Sequence, residues 1–376
     1  GYIEYDYFCA TTLVYFFLEL LTKKIKCKMN IEDYLIYVLL ATVCDVMPLR
    51  KLNRLISSIT LKRFNITKNY ALNELYILCN KKNKVTISDL GYLIGPILNA
   101  GGRLGKSNFA TELLSSDNLK IVNTKSIELI KLNEKRKKIE TLIINEINFD
   151  KIEKDNKNVI IYYNPNINEG LIGIIAARLK DHFNKPAIVI TNSNNLLKGS
   201  CRSIYNFNIG RSIKNALDNN IIINGGGHNM AAGFTIKKNK LKFFEDFILK
   251  NFSDTCISID NVFNYDAEIS SLAFNKNFYN DIKKIEPFGS GNPIPTFLFK
   301  NLKIIKTTVL DNKHISLILK SKTGFSIKSI SFNSVNSKIG EYLLNYKKNL
   351  NVLGQINENF WNNKNTLQLT IRDLIL

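Results

Sequence analysis

Asn224-Gly225-Gly226-Gly227-His228-Asn229-Met230-Ala231-Ala232-Gly233 is the most telling stretch of the chain, and the apolar run Ile221-Ile222-Ile223 leads into it. Read locally, a strand enters three glycines, and the small residues behind them begin a tightly packed helix. Glycines without a Cβ let backbone N–H groups approach a phosphate, and a helix N-terminus adds partial positive charge. His228 then reaches the ligand as a donor. The same residues also fit a glycine-rich turn with a satisfied histidine. The following Ala231-Ala232-Gly233 favours the ligand site.

Working outward, the preceding segment supplies an α/β frame. Val159-Ile160-Ile161-Tyr162-Tyr163 is a compact apolar strand followed by the turn residues Asn164-Pro165. Gly170 to Leu179 is a helix of small residues able to pack closely on a sheet, and Pro186 to Ile190 is a second buried strand. Strand, helix and strand within about thirty residues make a βαβ-like unit, so residues 155–250 read as an α/β domain. Gly199-Ser200-Cys201-Arg202-Ser203 follows the second strand as a polar loop. In it Arg202 is able to grip a phosphate with two parallel bonds, flanked by the Ser200 and Ser203 hydroxyls. Read alone, the segment is an ordinary polar loop.

Residues 1–120 read mostly helical. The apolar run Tyr34 to Leu40 ends at Asp45-Val46-Met47-Pro48, where proline stops the pattern. Asp45 closes a strongly apolar segment, and a buried carboxylate needs a partner or a metal; helix capping beside Pro48 competes with that account. Gly95-Pro96-Ile97-Leu98-Asn99-Ala100-Gly101-Gly102-Arg103 interrupts the helical region with a proline and three glycines. A loop-borne Arg103 beside glycines suits phosphate positioning, and a plain helix-to-helix connection is the other reading. From Val122 to Asn148 the apolar spacing predicts one long helix. Its centre, Asn133 to Lys138, is polar on nearly every face, as in a helix that is solvated all round and bridges two domains. An ordinary amphipathic surface helix fits the segment equally well.

Beyond Asp260 β-type patterning dominates, with strands expected at Phe297–Val309, His314–Leu319, Phe325–Phe332, Leu350–Ile356 and Leu367–Ile375. In the third, the alternation slips by one residue, which a β-bulge near Lys328-Ser329 would allow. Five strands in about eighty residues suit a small barrel such as an OB-fold.

Composition bounds the partners. Over 376 residues, 52 Lys and Arg against 32 Asp and Glu leave a net charge of +20. Residues 1–150 hold 22 basic and 15 acidic side chains, so no single tail carries the excess. A cationic surface favours phosphate-rich partners, although a codon bias towards Lys, Asn and Ile gives the same charge. Cys9, Cys27, Cys44, Cys79, Cys201 and Cys256 are scattered without a CxxC pair. That argues against a zinc ribbon and a disulfide framework and fits a reducing cytoplasm. Tyr7 to Leu21 is apolar, but Asp6 and Glu19 and its short length point to a buried helix, not a membrane span. The start at Gly1 without a methionine is expected of a fragment.

Taken in order, these pieces resemble the DHH-superfamily phosphoesterases and, within them, the RecJ-type single-strand-specific exonucleases. The resemblance covers nearly the whole chain. Ala41 to Leu49 looks like the last metal-ligand motif of the DHH domain, and Gly95 to Arg103 looks like the RecJ "GPxLNAxGR" signature. Gly170 to Leu179, Gly199 to Ser203 and Gly225 to Gly233 look like successive DHHA1 motifs. Pro287-Phe288-Gly289-Ser290-Gly291-Asn292-Pro293 resembles the entry to the RecJ OB domain. The resemblance implies an α/β plus β architecture in four parts: the C-terminal part of a DHH domain (1–121), a long linking helix (122–150), a DHHA1 domain (151–255) and an OB-like β-barrel (256–376).

It also implies a 5′-to-3′ exonuclease of DNA repair and recombination that cleaves single-stranded DNA with two Mn²⁺ or Mg²⁺ ions. In that scheme Asp45 is a metal ligand of the catalytic centre, and Asn99 and Arg103 position the scissile phosphate. Ser200, Arg202, Ser203, Gly226, Gly227 and His228 hold nucleotide phosphates. A single-strand-binding protein is the implied protein partner, with no membrane. The family's Asp-x-Asp and Asp-His-His motifs have no counterpart, because His182, His228 and His314 each lack a neighbouring histidine. The chain alone is therefore expected to lack metal-dependent nuclease activity. Two rivals remain: a non-catalytic single-strand-binding or scaffold relative, and a small-substrate DHH oligoribonuclease.

Overall fold

Helix α1 (Ala10–Lys24) opens the chain, followed by α2 (Leu35–Cys44) and α3 (Lys51–Arg63). The computed structural model describes residues 5–81, 84–255, 264–345, 348–361 and 364–375. The chain divides into one unit of Gly1–Phe64 with Val262–Leu376 and a second of Asn65–Asn261. In the first unit α2 buries Ile36, Val38, Leu39 and Leu40. It ends because Val46 takes φ +56°, which lets the Met47 N–H bond back to Thr42 O at 2.9 Å. Helix α1 departs from the expected buried helix. It buries Thr12, Tyr15 and Thr22, while Leu13, Phe17 and Leu20 face outward. No helix among the described residues is long and apolar enough to cross a membrane.

The second unit begins with α4 (Tyr70–Leu78) and α5 (Ile87–Asp89), which passes through a π-helical turn, Leu90–Ile94, into α6 (Gly95–Arg103). The glycine-rich signature is thus helix, not loop. Pro96 cannot donate to the carbonyl one turn back, and the chain meets it in a wider turn in which the Gly95 N–H bonds to Leu90 O. Gly101 is required by the turn that closes α6, since a Cβ there would stand 2.5 Å from Lys106 O and 3.3 Å from Leu129 Cδ2. After α7 (Phe109–Ser115) comes α8 (Leu119–Glu146), the long helix, and then α9 (Phe149–Asp155). The polar centre of α8 is not solvated all round. Val122, Ser126, Leu129, Asn133, Glu140 and Ile143 form one buried stripe at three-, four- and seven-residue steps.

The sheet of this unit runs β1 (Ile160–Tyr163), β2 (Ala187–Ser193), β3 (Leu196–Arg202), β5 (Ala231–Ile236), β4 (Asn224–His228) in spatial order. Only β1 and β2 are parallel, with α10 (Glu169–Phe183) between them in sequence. Two segments differ from the sequence expectation. Gly199 to Arg202 lies in a strand, not a loop. The residues after the glycines form a second strand, not a helix, so the motif is a hairpin. Helices α11 (Ile209–Asp218) and α12 (Leu241–Thr255) complete the domain. Ile188, Ile190, Cys201 and Phe234 meet Ile213 and Phe244 on one sheet face. Ala187 and Val189 meet Leu171, Ile175 and Leu179 of α10 on the other.

The chain then returns to the first unit through β6 (Ala267–Glu268) and α13 (Lys276–Lys283). Strands β7 (Phe297–Leu310), β8 (His314–Lys320) and β9 (Ser326–Ser331) are followed by α14 (Lys338–Asn345), β10 (Leu350–Trp361) and β11 (Lys364–Ile375). The order β7-β8-β9-β11-β10, closed by β10 pairing with β7, makes a five-stranded barrel. Phe299, Leu317, Ile327, Val352 and Leu369 fill it. The bulge expected at Lys328-Ser329 is absent, because β8 and β9 pair without a shift. Ser329 instead turns inward and is fully buried. Register shifts fall in β7 at Ile304/Lys306 and in β11 at Arg372, opposite Leu353/Gly354, where local bending serves closure. The first helices join this unit through the Leu49 N–H, which donates to Ser290 O at 2.6 Å, and through Arg54, which donates to Ile285 O at 2.8 Å.

Candidate nucleic-acid interface

In an antiparallel sheet, residues directly opposite one another share a face, and so do residues two apart along one strand. The register places Ser200 opposite Gly233, which faces Gly226, and Arg202 opposite Ala231, which faces His228. Ser200, Arg202, Gly226 and His228 therefore lie on one face, the face that α10 covers over β1 to β3. Gly226 and His228 are exposed. A Cβ at Gly226 would meet nothing within 4 Å, and at Gly233 only Gly199 O at 3.6 Å. The result is a shelf of bare backbone beside an arginine and a serine.

Gly227 and Ser203 serve another purpose. A Cβ at Gly227 would collide with Ala231 O and stand 2.6 Å from Ala232 Cβ, so this glycine permits the hairpin. Ser203 is buried, and its hydroxyl donates to Phe207 O at 2.6 Å while its N–H donates to Met230 O at 2.9 Å. It ties the end of β3 to the β4–β5 turn and does not present its hydroxyl on the shelf.

Arg202 is held in place by its own strand: Nη1 donates to Ser200 Oγ at 3.3 Å and to Cys201 O at 2.8 Å. Its Nη2 lies where a Cβ on Gly173 of α10 would stand 3.1 Å away. Arg103, at the C-terminal end of α6, donates from Nη1 to Gly170 O at 3.0 Å. A cation there also suits the helix dipole. Burial lowers the pKa of Arg103, helped by the positive charges of Arg136 and Arg202 and opposed by Glu140. Burial likewise lowers that of Arg202. Both guanidiniums remain charged, in surroundings where a bound anion relieves them. Asn99 is exposed one helical turn before Arg103 on α6.

Arg136, Glu140 and Arg178 join this region without having been singled out by the sequence. Arg136 and Arg178 both bond Glu140, at 3.2 and 2.7 Å. The signal in the sequence is the i, i+3, i+7 spacing of Asn133, Arg136 and Glu140, which sets all three on one helix face.

Asp45 belongs to the unit that carries the barrel. The expected burial is not found: the side chain is exposed at the C-terminal end of α2, and among the described residues it forms no ion pair. A carboxylate there faces the negative end of the helix dipole, an arrangement that favours a cation nearby. Yet among the described residues no three His, Cys, Asp or Glu side chains gather around a metal position. One carboxylate does not fit a site for two divalent ions. On the barrel, Lys303, Lys306, Lys313, Lys320 and Lys328 are exposed. Phe332 is exposed as well, edge-on to His314 at 5.3 Å.

Residues 156–254 match the DHHA1 domain, and residues 265–373 match the RecJ OB domain. The single-stranded-DNA-specific exonuclease RecJ of Haemophilus influenzae is 30% identical over 325 residues, 82% of this chain and 56% of that protein. Its namesake in Bacillus subtilis is 28% identical over 366 residues, 91% of this chain and 44% of that protein. The crystal structure of RecJ in complex with Mg²⁺ from Thermus thermophilus superposes with a TM-score of 0.78 at 21% identity, over 94% of this chain and 54% of that one. At that identity the likeness is one of fold. The chain spans about half the length of the curated relatives it matches.

Proposed function

This chain is RecJ-type, a DHHA1 domain followed by a RecJ OB domain, and from that premise we propose that it is the strand-holding part of a single-stranded-DNA-specific exonuclease. The observation that carries the reading is the shelf of Ser200, Arg202, Gly226 and His228, with Arg103 close by, in a chain that also closes an OB barrel. In this reading Asn99 and Arg103 position the scissile phosphate, and Arg202, Ser200 and the Gly226–His228 strand hold neighbouring phosphates. The exposed lysines and Phe332 of the barrel bind single strands by charge and stacking. Hydrolysis from the 5′ end with two Mn²⁺ or Mg²⁺ ions is the activity of the complete protein. Asp45 would hold one of those ions, and the other residues named would bind the strand. The domain division that goes with this is 1–121, 122–150, 151–255 and 256–376. A reducing cytoplasm fits Cys9, Cys27, Cys44, Cys79 and Cys201, none of which is in a disulfide among the described residues, and a single-strand-binding protein is the fitting protein partner.

Arg202→Ala tests the site. Affinity for single-stranded DNA is expected to fall at every sequence, and the slope of log affinity against log salt to become shallower by about 0.7, the share of one phosphate contact on a single strand. An unchanged slope would remove Arg202 from the phosphate contacts.

A second reading, a single-strand-binding or scaffold protein, is favoured by one observation: the described residues hold no group of three metal-ligating side chains. Incubating the 376-residue chain with single-stranded DNA and Mn²⁺ is expected to give binding without digestion. Robust digestion decides for the nuclease within this chain. A short-substrate phosphodiesterase is disfavoured, because the barrel offers an extended surface that short substrates do not need.

A further inference from the structure

Burying charge is unfavourable unless each charge is paired and its remaining bonds are satisfied. Helix α8 nonetheless turns charge inward at its centre. The Arg136 side chain is 12% exposed and that of Glu140 9%. Arg136 Nε donates to Asn133 Oδ1 at 3.1 Å and Nη1 to Glu140 Oε2 at 3.2 Å. The other Glu140 oxygen accepts from Arg178 Nε of α10 at 2.7 Å. These bonds fix Arg136 from two sides and leave its Nη2 uncommitted among the described residues. Arg136 also stands close enough to Arg103 for its charge to weigh on that guanidinium, as that of Arg202 does.

The balance is uneven. Four guanidiniums, Arg103, Arg136, Arg178 and Arg202, gather with one carboxylate, and among the described residues neither Arg103 nor Arg202 has an ion pair. The Arg178 side chain is 62% exposed and screened by water, but a pairing made only for stability would not leave Arg103 and Arg202 half-buried without a counter-charge. A polyanion supplies the missing charge.

We propose that Arg136 is a further phosphate-binding residue, joining Arg103 and Arg202, and that Glu140 is the positioning residue that holds it there. The proposal rests on the reading that the Arg202 shelf binds a nucleic-acid strand. Glu140 spans Arg136 on the long helix and Arg178 on the DHHA1 helix, so one carboxylate sets the place of the long-helix arginine relative to the β3 arginine.

Binding of a labelled oligothymidylate to the full chain, titrated against salt, tests it in four proteins: unmodified, Arg202→Ala, Arg136→Gln and Glu140→Gln. Arg136→Gln is expected to weaken binding about tenfold and to lower the salt slope by about 0.7. Glu140→Gln separates positioning from plain charge by its sign. It makes the site more positive, so electrostatics alone would tighten binding, whereas loss of the anchor weakens it. Weakening by Glu140→Gln together with Arg136→Gln supports the proposal. Arg136→Lys keeps the charge without the planar fork. Should Arg136→Gln fail to fold, a loss of affinity in Arg136→Lys at unchanged slope supports the proposal, and unaltered binding in it overturns it. If Arg202→Ala weakens binding and Arg136→Gln does not, the proposal falls while the functional reading stands. If neither substitution changes binding, the functional reading itself falls. Tighter binding by Glu140→Gln overturns its positioning role.

Discussion

Gly226→Val should leave the protein folded and take away about tenfold of its affinity for single-stranded DNA, equivalent to about 1.4 kcal/mol, whereas Gly227→Val should damage the fold. The two glycines are neighbours, yet their surroundings are opposite. A side chain at Gly226 enters open space on the face shared with Ser200 and Arg202, and valine is at ease in a strand. Nothing in the fold resists it. It would occupy the place over the bare backbone where a phosphate must come to reach both strand and arginine. At Gly227 the added atoms press on the backbone of Ala231 and Ala232 across the hairpin, and backbone yields less readily than a side-chain tip. The loss there should lie at or above the upper end of the roughly 1–3 kcal/mol typical of overpacking. Thermal unfolding followed by circular dichroism, beside oligonucleotide titration, reads both effects. Undiminished binding by Gly226→Val would mean that the shelf carries no ligand.

The contrast shows what a glycine-rich motif does and does not declare. That Asn224 to Gly233 comes after an apolar run was legible, and so was the presence of small residues. Their conformation was not, because alanine and glycine carry no periodicity, and strand pairing with β3 decides it. The signature at Gly95 to Arg103 misleads in the same way. Its glycines and proline lower helix propensity, but Gly101 makes room for Lys106 O, 2.5 Å from where a Cβ would stand, and Pro96 is accommodated by the π turn before it. Where hydrophobic period is strong, sequence and structure agree: β1 with β2, the long helix and the five barrel strands stand within a few residues of the expected limits. The centre of α8 shows the opposite limit. Asn133 and Arg136 read as a solvated surface because the Arg178 that pairs with Glu140 and completes their network comes from a distant part of the sequence. Asp45 reads as buried because its neighbours are apolar, although the helix ends there and turns it outward.

Gly170→Ala should weaken both folding and binding, and its sign makes it informative. Gly170 stands in the first turn of α10, and helix propensity alone favours alanine there by up to about 1 kcal/mol. Packing opposes that preference. A Cβ on Gly170 would collide with Arg103 O and stand 2.8 Å from Arg103 Cα, while Gly170 O accepts the bond from Arg103 Nη1 at 3.0 Å. The end of the signature helix thus rests on the DHHA1 helix with no side chain between them, and Arg103 is aimed by that contact. An added methyl must push the two helices apart, at a cost of about 1–3 kcal/mol, and it carries Arg103 away from Arg202. Lower unfolding temperature together with weaker oligonucleotide binding is the expected result. Arg103→Ala should weaken binding to a similar degree with little change in stability, because it removes the charge and leaves the helix contact. A more stable Gly170→Ala protein would mean that propensity wins and the junction is loose. Arg103 would then owe its position to something other than the missing side chain at Gly170.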